Sequence, residues 1–195
     1  MKILVFTDVH GNPTAIKQII QKSKEADLLV CAGDIIDWGD LEKTIKLFKD
    51  IDKKMLIIPG NHEDYDELKN LCKKYPFLID IHLKKFKIND IVFFGFGTGG
   101  FSKTDHELEE AMLDLKFNDK EKLVLVSHGP PFGTKLDYLE NLQSYRGSKT
   151  LREFIKKFHP KFVICGHLHE NEKKEDKLGD TIILNPGKYG KIIEV

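Results

Sequence analysis

Five times in this chain a short apolar run ends on a side chain able to bind a cation. Ile3-Leu4-Val5-Phe6-Thr7 leads to Asp8-Val9-His10, and Leu28-Leu29-Val30-Cys31-Ala32 leads to Gly33-Asp34, with Asp37 close behind. Met55-Leu56-Ile57-Ile58 leads to Gly60-Asn61-His62, Leu123-Val124-Leu125-Val126 to Ser127-His128, and Phe162-Val163-Ile164-Cys165 to Gly166-His167-Leu168-His169. Continuous apolar runs of this length read as buried strands. The crevice past the C-terminal ends of such strands is where open α/β sheets keep their ligands. The pattern calls for an α/β fold with its polar groups gathered at one sheet edge, and Asp34 is the candidate residue shared by the whole site.

The segments between these runs supply helices. Asn12 can cap a helix with Pro13 at its first position and Ile16, Ile19 and Ile20 on its buried face. A second helix is expected from near Asp40, burying Leu41, Ile45 and Phe48, and a third over 63–75, stopped by Pro76. The resulting β-α-β-α-β order implies parallel strands. Short strands are expected at 77–81, 83–88 and 91–97, the last two joined by a tight Asn89-Asp90 turn. Gly95, Gly97, Gly99 and Gly100 suggest a close passage beneath another element. Thr104 and Glu107 read as a capping box opening a further helix. Segment 132–147 has no periodicity, Ser148 caps a helix over 149–158, and strands at 161–165, 181–184 and 190–194 complete the chain. The charge run 170–176 reads as a solvated hairpin rim. No repeat or linker divides the chain, so residues 1–195 are expected to form one domain.

Lys+Arg and Asp+Glu are both 31, a balance that provides no general attraction to nucleic acid or an anionic membrane. No apolar stretch reaches the length of a membrane span, and the first apolar run stops at Asp8, too early for a secretory leader. Cys31, Cys72 and Cys165 fit buried thiols in a reducing compartment, which points to the cytoplasm.

Five of the eight histidines follow strand ends, beside two aspartates and an asparagine. Imidazole suits transition metals, carboxylate adds charge, and an amide oxygen is a neutral ligand. Asp8, His10, Asp34, Asn61, His128, His167 and His169 exceed the needs of one ion and suffice for two cations bridged by one carboxylate. Two metals about 3.5–4 Å apart can clamp both the attacking and the leaving oxygen of a phosphoryl transfer. Mixed nitrogen and oxygen donors favour divalent transition ions, Mn²⁺ foremost, with Fe, Ni, Co or Zn as alternatives.

Asp8-x-His10, Gly33-Asp34-x-x-Asp37, Gly60-Asn61-His62-Glu63, His128 and Gly166-His167-x-His169 resemble, in order, the five motifs of calcineurin-like metallophosphoesterases. Asn185-Pro186-Gly187 is similar to that family as well. Ser127-His128-Gly129-Pro130-Pro131, together with Arg146 to Lys149 and Leu151 to Phe154, resembles its small Icc-related members. The resemblance implies a four-layer α/β/β/α sandwich of two mixed sheets. It implies one metal on Asp8, His10, Asp34 and His169, the other on Asp34, Asn61, His128 and His167, and a bridging hydroxide that attacks phosphorus. It also makes His62 the group that stabilises or protonates the leaving oxygen, with Asp37 holding its imidazole. The expected reaction is hydrolysis of a small phosphodiester or nucleotide. A phosphomonoesterase, protein phosphatase or nuclease of the same superfamily is the alternative, and a silent binding scaffold would lack a ligand or His62.

The remaining conspicuous residues read more plainly. His82, His106 and His159 are expected at surface or helix positions, and Trp38 packing its loop over the core. Glu63 and Asp64 are expected as first-turn helix acids, Arg152 facing solvent, and Arg146 as the one candidate phosphate clamp.

Overall fold

The computed structural model describes residues 1–98 and 102–195. The first half of the chain runs β1 (Lys2–Phe6), α1 (Pro13–Ser23), β2 (Leu28–Cys31), α2 (Leu41–Lys46), β3 (Met55–Ile57), α3 (Tyr65–Lys74) and β4 (Leu78–Asp80). β5 (Lys85–Ile88), β6 (Ile91–Phe96), α4 (His106–Asp114), β7 (Lys122–Ser127), β8 (Tyr138–Leu139) and β9 (Ser144–Tyr145) follow. The chain ends with α5 (Lys149–Phe158), β10 (Phe162–Ile164), β11 (Glu175–Leu178), β12 (Thr181–Leu184) and β13 (Lys191–Glu194). Two large mixed sheets result, ordered β13-β1-β2-β3-β4 and β11-β12-β10-β7-β6-β5. β1 to β4 are mutually parallel with β13 antiparallel at the edge, while β6, β7, β10 and β12 are parallel between the antiparallel strands β5 and β11.

Strand alternation explains why the runs are apolar throughout. Ile3, Val5, Leu28, Val30, Leu56 and Ile58 point between the sheets and meet Phe93, Val124, Val126 and Ile164 of the second sheet. Their neighbours Leu4, Phe6, Leu29, Cys31 and Ile57 point the other way, against Ile16 and Ile19 of α1, Ile45 of α2 and Leu68 of α3. Leu123, Leu125 and Val163 likewise meet Leu108 of α4 and Leu151, Phe154 and Ile155 of α5 on the far side of the second sheet. A strand with a core on each face has no polar side to alternate with. The layers are therefore helix, sheet, sheet, helix.

The caps follow the sequence except at Thr104 and at Asp64, which is expected within the first turn of α3 and instead caps it. Asn12 Oδ1 accepts the N–H groups of Thr14 and Ala15 at 3.0 Å each, and Asp40, Asp64 and Ser148 cap α2, α3 and α5. The expected capping box at Thr104 is not formed. Asp105 is the cap residue of α4, without a side-chain cap bond, and its own N–H donates to Thr150 Oγ1 at 3.0 Å. Segment 132–147 holds the β8–β9 hairpin, pinned by the buried Asp137 carboxylate, which accepts the N–H groups of Gly133, Thr134 and Gly147. The run 170–176 is no mere solvated rim, since Asn171 is buried and donates from Nδ2 to the carbonyls of Leu136 and Tyr138, tying this hairpin to the segment after β10. His82 is buried rather than superficial, and its Nδ1 accepts the Gly97 N–H at 2.9 Å. Gly95 and Gly97 do pass tightly, since a Cβ at either would strike the Ile81 or Pro59 carbonyl. Gly99 and Gly100 lie outside the described residues.

No helix among the described residues is long and apolar enough to cross a membrane. Phe154 stacks on Phe94 at a ring separation of 5.5 Å and fixes α5 to the second sheet. Phe154→Ala should cost about 3–5 kcal/mol through the cavity it leaves, lowering Tm by roughly 10 °C in a thermal melt.

Candidate metal centre

The five strand ends converge on one edge shared by both sheets. Asp8 and His10 follow β1, Asp34 and Asp37 follow β2, Asn61 and His62 follow β3, His128 directly follows β7, and His167 and His169 follow β10. Four of these residues have left-handed backbones: Asp8 (φ 53), His10 (φ 49), Asp34 (φ 52) and His167 (φ 69). Such conformations cost energy in non-glycine residues and cluster at functional sites. They turn side chains inward just where each strand stops. The adjoining glycines make room: a Cβ on Gly60 would strike the Asp34 carboxylate, and one on Gly166 would strike that of Asp8.

Asp34, only 2% exposed, sits at the middle. Its Oδ1 accepts the His62 N–H at 3.0 Å, while Oδ2 lies 3.4 Å from His128 Nε2, 3.9 Å from His10 Nε2 and 4.0 Å from His62 Nε2. Burial works against its charge, but the contacts with His128 and His62 outweigh it and hold the carboxyl below its ordinary value. Burial opposes the charged form of His128 too, yet Asp34 prevails and lifts it to about 8. On one side Asn61 Oδ1 lies 2.9 Å from both His128 Nε2 and His167 Nδ1. On the other, His10 Nε2 and His169 Nε2 approach to 3.0 Å, and His169 Nε2 lies 3.6 Å from Asp8 Oδ1. Asp8 also accepts the His167 N–H through both carboxylate oxygens, at 3.1 and 3.0 Å. Burial lowers His10, and burial together with the His128 charge pushes His167 down to about 4, so these imidazoles are neutral at physiological pH.

This donor set fits divalent metal ions. Three groups of candidate ligand atoms each lie within 4.8 Å of one another, Asp8 with His10 and His169, His10 with Asp34 and His62, and Asp8 with Asp34 and His128, so Asp8, His10 and Asp34 are each shared by two groups. His10 Nδ1 is buried without a hydrogen-bond partner among the described residues. His128 Nδ1 lies 2.9 Å from the Ala32 carbonyl, an arrangement that keeps a proton on Nδ1 and leaves Nε2, facing Asp34, as the nitrogen that would give up its proton to a bound cation. His62 is held differently. Its Nδ1 is 3.1 Å from Asp37 Oδ1 and its Nε2 faces Asp34, too far away for a hydrogen bond.

Glu63 is the site residue that sequence reasoning missed. It is not a first-turn acid of α3: its side chain is buried and accepts the N–H groups of Asp34 at 2.9 Å, Ile36 at 3.1 Å and Gly60 at 2.7 Å. Burial and the Asp34 charge push its carboxyl up, against the pull of those three N–H groups. Its place directly after His62 was the one available signal. Trp38 does not pack over the core but is 88% exposed. Arg152 does not face solvent freely either, since its Nη1 donates to the carbonyls of Phe132 at 2.8 Å and Gly133 at 3.3 Å. Arg146 is exposed, with its backbone N–H on the Asp137 carbonyl.

A two-sheet sandwich carrying this cluster at its strand ends defines a phosphoester hydrolase. The chain belongs to the calcineurin-like phosphoesterase family, whose pattern matches residues 1–171; the family uses a dinuclear divalent metal site. It is 33% identical to an uncharacterized protein of Methanocaldococcus jannaschii across 95% of this chain and 88% of that one. It is 29% identical to a probable glycerophosphodiester phosphodiesterase of Arcobacter nitrofigilis, over 83% of this chain and 64% of the relative. The fold is shared with a phosphopantetheinyl hydrolase of Mycobacterium tuberculosis, at a TM-score of 0.69 and 14% identity, covering 95% of this chain and 88% of that one.

Removing the Glu63 carboxylate would strand three buried donors. Glu63→Ala should destabilise the fold by about 4 kcal/mol, roughly 10 °C in Tm, and weaken metal binding measured by calorimetry. Glu63→Gln keeps one acceptor oxygen and should lose less.

Proposed function

We propose that the protein is a phosphodiesterase of small molecules or nucleotides, working at two divalent cations with Mn²⁺ preferred. Asp8, His10, Asp34 and His169 would hold one ion, and Asp34, Asn61, His128 and His167 the other. Such ions, when bound, supply Lewis acidity and a nucleophile at neutral pH. The chain's own residues do the rest. Asp34 neutralises charge on both sides of the centre, and Asn61 adds a neutral oxygen where His128 and His167 meet. Asp37 accepts the proton of His62 Nδ1 and orients the ring, so that Nε2 can carry a proton to the departing oxygen as the ester bond breaks.

The observation that carries the diester reading is the use made of the arginines. A phosphomonoester dianion needs more positive charge than a diester monoanion, and planar guanidinium forks usually provide it. The chain has only Arg146 and Arg152. Arg152 is spent on the carbonyls of Phe132 and Gly133, which leaves Arg146 alone. The diesterase name of the Arcobacter relative, of which this chain spans 64%, supports the same reading.

With Mn²⁺, kcat/KM should be higher on bis-p-nitrophenyl phosphate than on p-nitrophenyl phosphate, EDTA should abolish both activities, and Arg146→Ala should leave diester turnover largely intact. Preference for the monoester, with collapse of activity in Arg146→Ala, would reverse the assignment. His62→Ala should retain metal and lower kcat by roughly 10²–10⁴-fold on esters with alkyl leaving groups. The loss should shrink for nitrophenolate, which departs without a proton.

A further inference from the structure

Trp38 is the only tryptophan in the chain, and it is 88% exposed. Large aromatic side chains are normally buried to a high degree, and those kept at the surface beside a polar cleft commonly serve recognition. Its position follows from the loop after β2. Ile35 and Ile36 are buried and anchor the loop, Asp37 turns its carboxylate to His62 Nδ1 at 3.1 Å, and Trp38 comes next on the solvent side. Gly39 then adopts φ 126, a backbone angle that side chains rarely accept, and Asp40 caps α2. The backbone at Trp38 is thus anchored on both sides. Its ring centroid lies 6.2 Å from that of His62, with the planes at 83°.

Four rings form a row across the mouth of the site. Trp38 lies 6.2 Å from His62, His62 lies 5.0 Å from His10, and His10 lies 4.9 Å from His169. Beside His10 and His169 is a cavity of about 290 Å³, reached by Asn12, Glu172 and Lys188. One end of the row therefore borders a partly open pocket of mixed polar and apolar lining, and the other is an open aromatic wall next to the proton donor.

We propose that Trp38 is the wall against which the leaving arm of the substrate lies, and that this arm carries a flat aromatic or heteroaromatic ring of the aryl or nucleoside type. The inference rests on the reading of His62 as the group facing the departing oxygen. A ring attached near that oxygen would meet the indole face as its ester oxygen meets His62, while the second arm occupies the cavity beside His10 and His169. Stacking of this kind tolerates any ring with a π-face, so Trp38 selects a class of leaving group and not one base.

The test uses Trp38 as its own reporter, since its emission is the only indole signal. AMP titrated into the Mn²⁺-loaded protein should quench that emission, and glycerol 3-phosphate, which has no ring, should reverse the quenching by competition without quenching by itself. In turnover, Trp38→Ala should raise KM for bis-p-nitrophenyl phosphate roughly five- to tenfold relative to that for glycerophosphoethanolamine, and Trp38→Phe should restore the ratio. Unchanged emission with AMP, together with an unchanged KM ratio in Trp38→Ala, would overturn the inference even if diesters are hydrolysed. AMP quenching in a protein that hydrolyses no diester would leave the wall standing and remove the diesterase reading instead.

Discussion

The structure turns on a buried carboxylate. Asp34 is 2% exposed, and an isolated charge so placed would take up a proton instead of ionising. It stays charged because His128 and His62 meet its oxygens, and it stays in place because its backbone is clamped from the next strand: the Asp34 N–H is received by Glu63, which also takes the N–H groups of Ile36 and Gly60. Glu63 therefore bolts the loop after β2 to the loop after β3. Gly60 must be glycine for this bolt to close, because any Cβ there would occupy the space of the Asp34 carboxylate. The two carboxylates repel, which is part of what raises Glu63, so the clamp holds through its hydrogen bonds and against its charge. Charge brought to the middle of the site and backbone geometry at the rim are one arrangement.

The fold around it keeps that arrangement rigid. Every central strand supplies side chains to two apolar cores at once, one between the sheets and one beneath the helices. A strand end embedded in packing on both sides cannot easily shift, and a shift of one residue would swap the two faces throughout. The strain of left-handed Asp8, His10, Asp34 and His167 is thus borne by strands with no freedom to relax it.

That double burial also decides what was legible in the sequence. The strands declared themselves as unbroken apolar runs, and the candidate site residues stood within a few positions of their ends, so the polar edge was legible in the sequence. Asn12, Asp40 and Ser148 announced their helix starts because capping is local, while Asp64, expected inside the first turn, proved to be the cap of α3. Residues whose purpose is to satisfy backbone in an irregular loop were opaque. Glu63, Asp137 and Asn171 accept or donate to groups whose positions depend on the folded path of loops without periodicity. In the sequence they look like any solvated polar residue. β11 was hidden for a related reason: Glu175-Asp176-Lys177 is a charged edge strand whose partner is β12, and pairing with a neighbour leaves no mark in composition. Trp38 misled in the opposite direction, since the usual fate of indole is burial and here it stands exposed beside Asp37.

Histidine illustrates how far residue type underdetermines role. His128 and His62 both stand at strand ends with Nε2 turned toward Asp34. His128 is fully buried, and its Nδ1 is tied to the Ala32 backbone carbonyl, a partner with no charge to share. Its Nε2 is thereby fixed in a dry surrounding beside Asp34, where a cation would replace its proton. His62 is partly exposed, and its Nδ1 rests on the Asp37 carboxylate, itself half in water. A carboxylate there orients the ring, and access to solvent lets a spent proton be replaced. The same side chain is fitted to hold a cation in one place and to pass a proton in the other, and the difference lies wholly in what its second nitrogen touches.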